Sequence, residues 1–163
     1  MKKLIVVIFL SLILSACATY RPKYDADYEK AVSAVIDKSS ETIKFNDHAV
    51  WRPNRSTIPS PYTPSSSIEG NMVITNKNLY FLEWDTDENI YNIVKKIDIS
   101  DIENTKITTY GLNEQLVVQS KNYNFDLFTV VSDIGRVQVD QNAEIHKYIQ
   151  SLIKKSPVAP ERH

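Results

Sequence analysis

The chain has 163 residues, 42% hydrophobic, 24% charged and 10% aromatic, and its 19 Lys+Arg nearly cancel 20 Asp+Glu for a formal net charge of −1. That is one ordinary domain of about 100–150 residues plus extra segments, with no global charge that would favour nucleic acid. A single cysteine excludes an internal disulfide and a cysteine-based zinc site, three histidines leave little for metal or triad chemistry, and three glycines leave no G-x-G-x-x-G or P-loop cradle for phosphate.

Lys2 and Lys3 precede an apolar run from Leu4 to Leu10, which resumes at Leu12 to Leu14. A positive start and an apolar stretch of this length read as a signal peptide, short of the about 20 residues a spanning helix needs. Leu14, Ser15, Ala16 and Cys17 follow, and this order resembles the lipobox of bacterial lipoproteins. The resemblance implies a diacylglycerol on the Cys17 thiol, cleavage between Ala16 and Cys17, and acylation of the new amino terminus. Two or more acyl chains anchor stably, at about 0.8 kcal/mol per buried methylene, with no transmembrane helix required. Aspartate after the cysteine usually signals inner-membrane retention in such lipoproteins. Here Ala18 stands there, so the resemblance points to the outer membrane, facing the periplasm. Loss of Lys2 and Lys3 would shift the formal charge from −1 to −3.

Residues 17–47 read as lipid anchor, tether and an N-terminal helix. The helical period spans 24–38, with Tyr24, Tyr28, Ala31, Val32, Val35 and Ile36 on one face. Asp25 and Asp27 open it and Lys38 closes it, the order a helix dipole favours. Residues 43–45 and 48–51 are two short strand candidates. From Arg52 to Ser67 the chain carries Pro53, Pro59, Pro61 and Pro64, which forbid helix or central strand and predict a long surface loop over 52–67.

Strands then follow quickly. Ile68, Gly70, Met72 and Ile74 alternate with Glu69, Asn71, Val73 and Thr75, and 79–84 is the return strand after a turn at 76–78. Further strands are expected over 90–99, 104–110, 115–120 and 124–131, with polar turns between them. Asp140 is placed to cap a final helix, over 140–155, in which Ile145, Ile149, Leu152 and Ile153 share a face. Lys154 and Lys155 close it, Pro157 stops it, and 156–163 reads as a flexible tail.

Glu69 to Phe81 has a Gly, an alternating strand ending in Thr75, a turn, then Leu79, Tyr80 and Phe81. This stretch resembles the signature of GRAM and bacterial pleckstrin-homology-like (PH-like) domains. Residues 97–102 are similar to the segment before their next strand, and 124–128 to the last strand before their helix. Over 48–155 the resemblance implies a mainly β fold, a PH-like antiparallel barrel with a C-terminal capping helix, here with an extra N-terminal helix. The fold alone does not dictate a role, since it hosts many.

Phosphoinositide-binding PH domains cluster cations around the first hairpin loop, which here offers only Arg52 and Arg55. Asp85, Asp87 and Asn89 begin like a calcium loop, but Ile90 stands where Gly is needed and Lys96 where Glu is needed. There is no G-x-S-x-G, and no pair of carboxylates stands out as a glycosidase dyad. His146 is expected on the solvent flank of its helix, and His48 reads equally as an edge residue or a base. The expectation is a non-enzymatic binding or scaffold module of the envelope, without cofactor beyond the lipid on Cys17. Its protein partner would meet Trp51, Arg52, Arg55, Ile58 and Tyr62, or an exposed barrel edge by strand addition. The alternative is a carrier or sensor of a small apolar or lipid ligand, which needs an unfilled barrel.

Overall fold

The computed structural model describes residues 26–54, 67–110, 113–122, 124–132 and 135–155. Cys17, Arg55, Ile58 and Tyr62 lie outside these, as do the leader and the tail. The elements are α1 (Ala26–Val35), β1 (Ile43–Asn54), β2 (Ile68–Thr75), β3 (Asn78–Asp85), β4 (Ile90–Asp98), a 3₁₀ turn (Ile99–Asp101), β5 (Ile102–Tyr110), β6 (Asn113–Ser120), β7 (Phe125–Val130) and α2 (Val139–Lys155).

All seven strands form one antiparallel sheet in the order β4-β3-β2-β1-β7-β6-β5. One core joins both ends of that order: Met72, Ile74, Leu79 and Phe81 meet Ile102, Leu116, Val118, Phe128 and Val130. A sheet whose first and last strands share a core must curl, and the right-handed strand twist supplies the curl. Ile145 and Ile149 of α2 are fully buried in the same core, so the expected apolar stripe closes the barrel. Among the described residues β4 and β5 do not pair, and the barrel stays open between them.

Three local expectations need correction. The two short strands at 43–45 and 48–51 are a single strand, β1, which continues to Asn54. Asn46, Asp47 and His48 interrupt the apolar pattern, but pairing with Val73, Met72 and Asn71 of β2 carries the strand through them. Pro53 is tolerated because β2 stops opposite Trp51, so only β7 flanks the strand at Pro53. The first helix ends at Val35 rather than at 38. Asp37 turns the chain there, accepting from the Ser39 N–H at 2.9 Å and the Ser39 hydroxyl at 2.6 Å. Finally, Asp140 lies within the first turn of α2, which already begins at Val139.

The N-terminal helix also explains why β2 is buried on both faces. Val32 and Ile36 pack with Val73, Tyr80, Leu82 and Tyr91 in a second cluster on the outer face of the sheet. Gly70 is required by close approach: a Cβ there would run into the Leu82 carbonyl and meet the Phe81 ring at 2.9 Å.

Candidate functional site

The end of β1, the start of β2, the turn at 86–89, the end of β6 and the start of β7 gather at one end of the strands. Here stand two of the residues expected to meet a partner. Trp51 is only 8% exposed and faces the core, its ring 5.5 Å from Phe81 and 6.5 Å from Phe128. It is a wall of the barrel, so as an exposed apolar anchor it is corrected. Arg52, the next residue, points to the other face, half-buried and opposite Leu127.

Trp51 instead holds a buried charge. Its Nε1–H donates to Asp126 Oδ1 at 2.9 Å, and Lys95 Nζ lies 3.0 Å from Asp126 Oδ2. Lys95 also sits 5.8 Å from the centre of the Trp51 ring, a cation–π geometry. A β-bulge makes this reach possible. Tyr91 and Ile93 pair with Trp84 and Leu82, Lys95 with Phe81, so Val94 is the extra residue that swings Lys95 inward. No sequence pattern advertised this pair, because the bulge and the sheet closure that create it are tertiary.

β4 also carries exposed apolar side chains, one of them the bulged Val94. Ile90, Ile93 and Val94 are 49%, 44% and 36% exposed, and among the described residues only Val139 joins them as an exposed large hydrophobic.

A different arrangement lies between β5 and α2, in a cleft of about 530 Å³ lined by Asn104, Thr105, His146, Lys147, Gln150, Ser151 and Lys154. His146 is not on the solvent flank. It is half-buried, with Nδ1 at 2.8 Å from Thr105 Oγ1. The pairing spans 41 positions, which hid it from helix periodicity.

A third polar cluster surrounds Glu41, which accepts from Thr75 Oγ1 at 2.5 Å, Asn78 Nδ2 at 2.8 Å and Tyr80 Oη at 2.8 Å. Burial pushes this carboxyl up, but the three hydrogen bonds and the charge of Lys96 outweigh burial and hold it below its usual 4.5. Burial and the neighbouring Glu41 push the Tyr80 hydroxyl up. The cluster fastens the link after α1 to the β2–β3 turn. No group of three or more His, Cys, Asp or Glu side chains that could hold a metal occurs among the described residues. No helix among them is long and apolar enough to cross a membrane.

No protein-family model matches the sequence, and no curated protein does. Solved structures do. The N-terminally truncated linker-DH/PH domains of p115-RhoGEF match with a TM-score of 0.53 at 9% identity, over 85% of this chain and 36% of that one. A point mutant of the p115-RhoGEF DH/PH domains matches at 0.52 and 10% identity, over 83% and 37%. Vav1 with an allosteric inhibitor matches at 0.50 and 7% identity, over 80% and 34%. The chain thus spans about a third of the length of the structures it matches. At such identities the likeness speaks for architecture alone. The fold is mainly β and PH-like, with a C-terminal helix closing the barrel and a short helix before the first strand.

Proposed function

We propose that this chain is a lipid-anchored binding module of the bacterial cell envelope, held at the outer membrane by acylated Cys17 and contacting a protein partner. One observation carries the protein contact. Three of the four exposed large apolar side chains among the described residues belong to β4, and Ile93 and the bulged Val94 adjoin. Apolar side chains concentrated in one exposed place mark contact surfaces. The bulge at Val94 and the inward turn of Lys95 are the features that keep an edge strand from pairing. The partner therefore packs on the side chains of Ile90, Ile93 and Val94 instead of adding a strand. Arg52 supplies a cation to this surface, because β1 ends at the same end of the barrel as the β3–β4 turn, and Arg55, Ile58 and Tyr62 of the proline-rich segment are proposed to add to the contact. The carrier alternative has the packed rings of Trp51, Phe81 and Phe128 against it.

Affinity purification from detergent-solubilised envelopes tests this. Ile93→Ser/Val94→Ser, and separately Arg52→Ala/Arg55→Ala/Tyr62→Ala, should keep the circular dichroism of the parent and lose its specific partner. A partner list unchanged in both variants would overturn the contact surface. For the anchor, Cys17→Ser should leave an uncleaved or soluble form. Maturation of that variant to the parent mass on membranes would overturn the lipid reading.

A further inference from the structure

We infer that the cleft between β5 and α2 binds a phosphoryl-type oxyanion, held by Lys147, Lys154, the His146 ring and the side-chain amide of Asn104. The hydrogen-bond network behind the cleft fixes which atoms face it. Thr105 O is a carbonyl and only accepts, so the Gln150 atom 3.2 Å away is the amide nitrogen. The same nitrogen lies 3.0 Å from the Asn104 side chain and 3.0 Å from Thr105 Oγ1. Asn104 therefore turns its Oδ1 toward Gln150 and keeps Nδ2 as a donor. Thr105 Oγ1 accepts from Gln150 at 3.0 Å and shares a hydrogen bond of 2.8 Å with His146 Nδ1, which fixes the ring at the cleft wall.

The cleft wall thus carries the Asn104 side-chain amide and the His146 ring beside a Gln150 amide nitrogen that is engaged internally. Two ammonium groups join them. Lys147 and Lys154 are exposed and have no acidic partner among the described residues, and no Asp or Glu lines the cleft. In a chain with slightly more acidic than basic residues this is a local concentration of positive charge. Seven residues apart on one helix, the two lysines share a face and stand about 10 Å apart along the axis, so they bracket the cleft from both ends. Separate point donors approaching from several directions suit a tetrahedral oxyanion, whereas the arginine fork that matches a planar carboxylate is missing from the lining. The cleft lining shares no residue with the proposed partner surface. A phospholipid headgroup and a soluble phosphate present the same chemistry.

The test is nuclear magnetic resonance of the mature, detergent-solubilised chain titrated with inorganic phosphate. The His146 ring and the Asn104 side-chain amide should shift saturably, and Lys147→Ala/Lys154→Ala should weaken binding at least tenfold while the remaining spectrum is preserved. The same chain in phosphatidylcholine nanodiscs, with and without phosphatidylglycerol, separates the sources. Cleft shifts that need the anionic lipid assign a headgroup, and shifts with free phosphate alone assign a soluble ligand. Either result supports the site. Absence of saturable shifts in both arms overturns it. So would equal shifts in the double variant, or a response to hexaglutamate but not to phosphate, which would assign an acidic peptide.

Discussion

Asp126 is a carboxylate left only 2% exposed, which costs several kcal/mol unless the charge is met. The Trp51 indole donates to Oδ1, and the Lys95 ammonium stands 3.0 Å from Oδ2 as an ion pair without an aligned hydrogen bond. Lys95→Met should therefore destabilise by about 3 kcal/mol in urea unfolding, because it strands the buried charge. Lys95→Met/Asp126→Leu should return to within about 1 kcal/mol of the parent, since removing both partners removes the penalty as well. A double variant as unstable as the single one would contradict this account of the pair. Two other carboxyls work in opposite senses. Glu41 is depressed in the fold, so its contribution is present above its unfolded value and lost as pH falls through the folded one. Burial raises Asp47, a hydrogen bond from Gln141 opposes the rise, and the charge of Glu144 adds to it. Ionisation of Asp47 thus weakens the fold above its unfolded value, and acid relieves it. Melting temperatures at about pH 7 and about pH 3 check both signs. Glu41→Gln should lower the melting temperature near neutrality, Asp47→Asn should raise it, and both effects should shrink in acid.

At the scale of elements, α2 is the closure of the barrel. Ile149→Ala removes a fully buried side chain and should cost about 2–5 kcal/mol, read by denaturant unfolding. A cost within about 0.5 kcal/mol would mean that the helix is not the plug. This helix was legible in the sequence, because Ile145, Ile149, Leu152 and Ile153 recur at helical spacing and all four meet the core. The strands from β2 onward were legible through alternation and polar turns. Where both faces of a strand are covered, as at Asn71, Val73 and Thr75 of β2, alternation says nothing about the second cover. The continuity of β1 was hidden because its polar middle is carried by pairing with β2, which no local pattern shows. Of the expected site, Arg52 stands at the surface end of β1 and Trp51 in the core. A tryptophan beside an arginine gives no sign of which faces inward until the register with β7 is known. The Lys95–Asp126 pair and the Thr105–His146–Gln150 network join residues 31 to 45 positions apart, and no local pattern connects such distances.

For the whole molecule, these parts combine into a barrel with two outward-facing resources. One is the apolar stretch of β4, and the other is the donor-rich cleft beside α2. The short helix α1 covers the outer face of β2 to β4. Site-specific photo-crosslinking in intact cells, with the probe at position 93, tests the proposed partner contact most directly. The account predicts one discrete protein adduct in the envelope fraction from position 93 and none from exposed position 103 on β5. No adduct from position 93, or an equal adduct from position 103, would contradict it.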